Sequence, residues 1–228
     1  TGSIVGACLD CDEIWIWTDV SGVFSADPRI VPEAKVLRHI SYQEAAEMSY
    51  FGAKVIHPKT MLPAVSKKIP IRIKNTFAPN DPGTLITDKK RDAKPVRIVT
   101  AIKKLHLVYV QGQGMVGTSG ITARIFLVSD RAKVHVYMFS QASSGHNMCL
   151  VAAQEESIRL KSALEHEFQS ELSNRELDKI GLQKDVAIVS VIGGGMKGAR
   201  GIAGTLFSSL GKHGINICAI AQGSSELN

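Results

Sequence analysis

Within Thr18–Arg29, TDVSGVFSADPR, side chains of distinct chemistry fall on one turn-forming stretch. Asp19 can accept hydrogen bonds from a ligand hydroxyl or amine, and Gly22 lets the backbone turn closely. Phe24 offers a stacking face, and Arg29 presents a planar fork suited to phosphate. Lys54, just after the end of a helix pattern, adds a point charge. On spacing alone, the same residues also describe a surface loop with a helix-capping Asp and a solvated Arg, because no Gly-rich Walker loop accompanies them.

A second set of residues is duplicated. GQGMVGTSGITARIF…FSQASS, Gly112–Ser144, recurs without a gap as GGGMKGARGIAGTLF…IAQGSS, Gly193–Ser225, at an offset of 81 (Gln222 minus Gln141). The same offset pairs Met115 with Met196, Phe126 with Phe207, and Val134 and Val136 with Ile215 and Ile217. In each copy a glycine-rich turn (Gly112, Gly114 and Gly117 in the first) precedes a helix start, where free backbone N–H groups favour a carboxylate. Gln141 and Gln222 mark equivalent strand ends, and a glutamine amide both donates and accepts. Tight turns and plain edge glutamines would leave the same pattern.

The elements that must hold these residues follow from pattern. EIWIW (Glu13–Trp17) is a short apolar, β-prone run and predicts a buried strand, with Thr18 and Asp19 at its carboxyl end, where open α/β sheets bind ligands. SYQEAAEMSYFGAKV starts with Ser41 and has Glu44 three residues later, a capping-box helix start that Gly52 closes. Pro63–Ser66 belongs to another short helix, and IPIRIKN (Ile69–Asn75) alternates like a strand. Strands alternating with helices predict a layered α/β unit with a largely parallel sheet. Beyond the polar stretch DPGTLITDKKRDAKP come a strand candidate, VRIVTAI, and the repeat. Each copy predicts a strand (LHLVYVQG; VAIVSVIG), a glycine turn, an amphipathic helix and a second strand (KVHVYMF; GINICAI). The first copy continues with NMCLVAA and the helix QEESIRLKSALEHEFQSEL, completing a βαββαβ ferredoxin-like module. The second shows its first half and is expected to borrow Val96–Ile102 as an edge strand.

Composition narrows the class. The chain has 228 residues, 44% hydrophobic and 21% charged, enough for a real core. No apolar run reaches the roughly 18–20 residues a membrane span requires. The net charge of +6 comes from scattered residues. The densest group, Lys89, Lys90, Arg91 and Lys94, beside Pro95, reads as a solvated linker, so neither nucleic acid nor membrane is an expected partner. Cys8 and Cys11 form a lone C-x-x-C with no second pair or His pair to complete a zinc site, and reduced thiols are expected. Cys149 and Cys218, in apolar runs, are expected as small core residues.

TDVSGVFSADPR, followed by YFGAKVIHPKT and KNTFAPNDPGTLI, resembles the C-terminal part of the kinase domain of aspartokinases, members of the amino acid kinase family. The duplicated segment resembles the paired ACT domains that follow that kinase domain. The resemblance covers essentially the whole chain. It departs at Ser21, where the family usually has Asp or Pro, and at Phe24, often Tyr. It implies a partial amino-acid-kinase layered αβα domain over 1–88, a linker and edge strand over 89–104, a first ACT domain over 105–183 and a second, truncated one over 184–228.

The implied chemistry is phosphoryl transfer from ATP, with Mg2+, to the side-chain carboxylate of L-aspartate, giving 4-phospho-L-aspartate. By motif match, Thr18 and Asp19 would hold the base and ribose region, Phe24 would pack near adenine and Arg29 would reach the phosphates. Lys54 and Val55 would lie along the nucleotide. The family's Lys-bearing glycine motif and its Gly-Arg-Gly-Gly-Ser-Asp segment, which supplies the catalytic Asp, do not occur in this sequence. The resemblance therefore assigns no catalytic residue here, and the stretch alone is expected to be inactive. An effector amino acid would meet Met115, Gly120, Ile121, Val136 and Gln141 in the first module, and Ile220 and Gln222 in the second. HVYMFSQASSG carries no carboxylate to hold a lysine ε-ammonium, and an uncharged glutamine suits a hydroxyl, so threonine is favoured over lysine. A homodimer through the ACT modules and a cytoplasmic location are further implied. The alternatives are a non-catalytic amino-acid-sensing module and part of a bifunctional aspartokinase–homoserine dehydrogenase.

Overall fold

The computed structural model describes residues 1–52, 56–89, 94–113, 120–142 and 145–222. They divide into two compact units. One takes Thr1–Ala101, Val189–Ile215 and Gln222; the other takes Ile102–Ile188 and Asn216–Ala221.

The first unit is built on a sheet of β1 (Ile14–Thr18), β5 (Ile71–Asn75), β6 (Thr84–Thr87) and β4 (His39–Ser41), in that spatial order, with a ribbon of β2 (Val23–Phe24) and β3 (Val36–Leu37). β1 pairs with β5, and β4 with β6, in parallel, whereas β5 and β6 run antiparallel. The sheet is thus mixed rather than largely parallel. The connection from Asn75 to Thr84 is too short for the crossover that a parallel neighbour needs. Helices α1 (Gly2–Cys8), α2 (Tyr42–Tyr50) and α3 (Pro58–Ser66) bury a core of Ile14, Ile40, Met48, Met61, Ile71, Ile73 and Ile86. The α2 start is the capping box its sequence predicts: the Ser41 hydroxyl accepts from the Glu44 N–H at 3.1 Å, and the Glu44 carboxylate accepts from the Ser41 N–H at 2.8 Å. Gly52 follows at φ +99°.

The second unit contains the βαββαβ order. β7 (Ile98–Gln111) leads to α4 (Ile121–Arg131), β8 (Met138–Gln141), β9 (Asn147–Ala153), α5 (Gln154–Glu167), α6 (Gln169–Ser173) and β10 (Lys179–Ile192). The sheet order β10-β7-β9-β8 puts the first strand beside the last. Val108, Val110, Met148 and Leu150 meet Ile121, Ile125, Leu160, Leu164 and Phe168 in the core. The two strand candidates VRIVTAI and LHLVYVQG are one strand, β7. The single long helix expected from Gln154 breaks at Phe168, which is fully buried with the Arg124 guanidinium 4.4 Å from its ring centroid. α7 (Ile202–Lys212) belongs with the first unit.

The duplication is visible in the backbone beyond the matched letters. β7 ends at Gln111 and β10 at Ile192; α4 spans Ile121–Arg131 and α7 Ile202–Lys212; each boundary keeps the sequence offset. Both helices begin after a left-handed glycine, Gly120 at φ +99° and Gly201 at φ +83°. Upstream, Lys104 and Asp185 share a left-handed φ of 60° and 56° inside their strands. Gly112 and Gly193 close both turns tightly: a Cβ there would stand 2.6 Å from the Glu176 carbonyl or 2.0 Å from that of Pro95. The borrowed edge is present too, as the Arg97 N–H donates to the Ile192 carbonyl at 3.0 Å.

Other local expectations fail as well. In KVHVYMF, regular pairing starts only at Met138, and GINICAI forms no strand among the described residues. Asn216–Ala221 makes side-chain contacts instead, Gln183 Nε2 reaching Cys218 Sγ at 3.1 Å and Ser140 Oγ donating to the Ile220 carbonyl at 3.0 Å. Consequently Cys218 is exposed and Cys149 half-buried rather than in the core, and all four cysteines are free thiols.

Candidate functional site

Parallel pairing of β1 with β5 brings two distant segments to one end of the sheet, in the register Thr18↔Asn75. The Thr76 N–H donates to the Thr18 carbonyl at 2.8 Å, and Asn75 Nδ2 donates to Ser21 Oγ at 3.0 Å. Thr18 Oγ1 donates to Asp19 Oδ1 at 3.1 Å, so Thr18 orients an exposed carboxylate. Asn75 also accepts from the Phe77 N–H at 2.9 Å, and the Phe77 ring is 83% exposed. The loop is anchored farther on by the Val23 N–H, which donates to Thr84 Oγ1 at 2.8 Å.

Phe24 is half-buried on the β2–β3 ribbon. Arg29 is exposed, its guanidinium gripped by Asp27 through Nε at 3.0 Å and Nη2 at 2.8 Å. The hydrogen bonds and charge of Asp27 raise the Arg29 pKa further, so it is a fixed cation with donors to spare. Lys54 and Val55 lie outside the described residues. Ser21, Asn75 and Phe77 were missed as site residues. The signal for Asn75 and Phe77, KNTF in the third motif, becomes positional only once β5 lies beside β1, and Ser21 lies inside the first motif.

EIWIW is a strand but not a buried one: Trp15 and Trp17, 53% and 45% exposed, stand on the sheet face opposite the helices, in register with Arg72 and Lys74. Lys74 Nζ lies 5.4 and 5.6 Å from the two indole centroids and donates to the Asp81 carbonyl at 2.6 Å. The Asp81 carboxyl is held below its usual range by the Arg38 guanidinium and the Gly83 N–H.

In the repeat, Gly120 stands at the N-cap of α4 and, having no side chain, supplies no side-chain hydrogen bond to the first-turn N–H groups. Ile121 is buried in the core at 3% exposure, so its backbone rather than its side chain is what that turn offers. Val136 packs partly buried against the same core. Gln141 ends β8 opposite Met148 and is exposed, Ile220 is 56% exposed, and Gln222 is exposed. Met115 lies outside the described residues. Among those described, no group of three or more His, Cys, Asp or Glu could hold a metal ion, and no helix is long and apolar enough to cross a membrane.

Residues 1–75 match the amino acid kinase family, and residues 108–168 and 189–228 match the ACT domain. The chain is 42% identical over 227 residues to the bifunctional aspartokinase/homoserine dehydrogenase of Haemophilus influenzae, covering 99% of this chain and 28% of that protein. Among solved structures it resembles the aspartate kinase of Clostridium acetobutylicum, with a TM-score of 0.89 and 32% identity over 99% of this chain and 52% of that one. It also resembles E. coli aspartokinase III in complex with aspartate and ADP, with a TM-score of 0.81 and 28% identity, covering 100% of this chain and 50% of that one. The chain thus spans about a quarter to a half of the length of these three relatives. The chain is thus similar throughout its length to aspartokinases, with a segment like the amino acid kinases joined in one polypeptide to a duplicated module like the ACT domain.

Proposed function

We propose that this chain serves an aspartate kinase that transfers a phosphoryl group from ATP to the side-chain carboxylate of L-aspartate. The product, 4-phospho-L-aspartate, would open the lysine, threonine and methionine routes. The observation that carries this is the convergence of Thr18, Asp19, Ser21, Asn75 and Phe77 at the carboxyl ends of β1 and β5 in a chain similar to aspartokinases. Asp19 accepts from the ribose or base, Phe77 and Phe24 supply rings near adenine, and Arg29 meets the phosphates. Lys54 and Val55 lie along the nucleotide. Such catalysis is mostly positioning and neutralisation of charge. Mg2+ bound with ATP would supply charge neutralisation at the phosphates.

The ACT modules bind a regulatory amino acid at Met115, Gly120, Ile121, Val136 and Gln141, with Ile220 and Gln222 as counterparts. Threonine is preferred to lysine, and the modules pair two chains in a cytoplasmic homodimer. The domain limits are those proposed from the sequence. Trapping of the acyl phosphate by hydroxylamine, with ATP and L-aspartate and the full-length polypeptide, tests the activity; no hydroxamate would sink it. Calorimetry with threonine and lysine in parallel tests the effector, and heat from lysine alone would reverse the preference.

A second reading adds a homoserine dehydrogenase unit to the same polypeptide. It is favoured by the 42% identity to a bifunctional relative. Nicotinamide-dependent oxidation of homoserine by the full-length protein would separate the two.

A further inference from the structure

Glu44, 2% exposed at the third position of α2, divides its carboxylate between distant parts of the chain. Oε2 accepts from the Ser41 N–H at 2.8 Å, the Ser41 hydroxyl at 3.1 Å and Arg97 Nη1 at 3.2 Å. Oε1 accepts from the backbone N–H of Gly194, 150 residues away, at 3.0 Å. Arg97 donates through Nη2 to the His39 carbonyl, so it grips the strand that leads into α2. The paired side chains are only 6% and 3% exposed. Burial alone would push the Glu44 carboxyl up. The N–H groups of Ser41 and Gly194, the Arg97 guanidinium and the Ser41 hydroxyl outweigh it and leave it below its ordinary value.

A helix cap needs only Oε2. The second oxygen and the buried guanidinium are surplus to capping, and buried ion pairs are weak sources of stability compared with apolar packing. Their attested use is to single out one arrangement of the chain. Gly194 sits in the glycine turn of the second repeat, between Gly193 and Gly195. The other side of that turn is closed by backbone: a Cβ on Gly195 would lie 3.0 Å from the Lys94 carbonyl and 3.1 Å from Pro95 Cα. The turn is therefore clasped between α2 and the segment 94–97. Any displacement must break the bond to Oε1 or pull on the first turn of α2, whose other end runs into the stretch carrying Lys54.

We propose that Glu44 is the positioning residue that couples the glycine turn of the second repeat to helix α2, and through it to the nucleotide side of the chain. Only the identity of the incoming signal rests on the proposed amino-acid sensing. The test is a double-mutant cycle on the whole chain, read by hydrogen–deuterium exchange in wild type, G195A, E44Q and G195A/E44Q. G195A nudges the turn by a few tenths of an ångström and is expected to speed exchange across Tyr42–Tyr50 at least about fivefold, the lower end of site-to-site coupling. That increase is expected to vanish in the E44Q background, while adding G195A leaves β5 exchange unchanged relative to its own parent in both backgrounds. Should E44Q fail to fold, E44D keeps a charge beside Arg97, is one methylene too short for Gly194, and is expected to give the same loss. An equal G195A effect with and without the glutamate, or no effect on α2 at all, overturns the proposal. Added threonine or lysine is a separate arm: an α2 change present in wild type and absent in E44Q supports the coupling, and one that persists in E44Q overturns it. If calorimetry shows neither amino acid binding, the sensor assignment fails while the mutant cycle still decides the coupling.

Discussion

Arg29 and Glu44 illustrate opposite uses of charge. The Arg29 side chain is 87% exposed and, among the described residues, held by Asp27 in an arrangement that leaves donors to spare. Exposed pairs of this kind add little to stability, so R29A is expected to leave the thermal midpoint unchanged. It should weaken ADP binding about tenfold in calorimetry, because charge-assisted bonds to phosphate are lost. Glu44 is buried and shared, and E44Q is expected to cost about 3–5 kcal/mol by urea unfolding, since it removes the carboxylate from beside a buried guanidinium. E44Q/R97M, which removes both charges, should cost less. The pH dependence follows from the lowered Glu44 pKa. A carboxyl depressed in the folded state contributes stability above its unfolded value, about 4.3, and loses it as pH falls through the folded value. The stability gap between wild type and E44Q should therefore be full at pH 7 and shrink below about pH 4. Glu47 moves the other way, its pKa raised by burial, so the comparison must be made against E44Q rather than read from wild type alone.

At the level of elements, local rules succeed where neighbours in sequence are also neighbours in space. The α2 capping box is legible because Ser41 and Glu44 lie one turn apart, and S41A should cost about 1 kcal/mol in chemical unfolding. Strand pairing is different. EIWIW and IPIRIKN each read as strands, yet nothing local says that they adjoin in parallel with Thr18 opposite Asn75. The failures have the same origin. GINICAI has β-prone residues, but a strand requires a partner ladder, and the segment finds side-chain contacts instead. The glycines also separate by element. A Cβ at Gly112 meets the Glu176 carbonyl and Leu177 Cα, both at 2.6 Å, whereas one at Gly120 meets open space at a left-handed φ. G112A should therefore lower the melting temperature more than G120A: the first must shift backbone, at about 1–3 kcal/mol, and the second adds only conformational strain.

For the whole molecule, the duplication organises the proposed regulation. The two copies share strand ends, helix limits and left-handed positions, but they are embedded differently. In the first copy, Ile121, Ile125 and Val128 are buried under α5, while α7 has no buried residue. Gln141 lies in the copy whose described elements form the full βαββαβ order, and Q141A is expected to lower threonine affinity about tenfold, as calorimetry would read it. Loss of affinity on Q222A with none on Q141A would assign the effector to the other copy.

The sequence by itself determined the mixed α/β class, the capping box and the repeat. Each of these depends on periodicity, capping or self-similarity, which the chain carries locally. The third motif was also plain in the letters, but not its role. Only the tertiary structure decided that Asn75 and Phe77 stand beside Thr18 and Asp19, that β5 and β6 run antiparallel, and that Gly194 donates to Glu44. The first and last of those facts depend on segments that meet across 57 to 150 residues of chain, whereas β5 and β6 pair across only 11 to 15. Long-range pairing is settled by the joint burial of a core, and no local pattern encodes it.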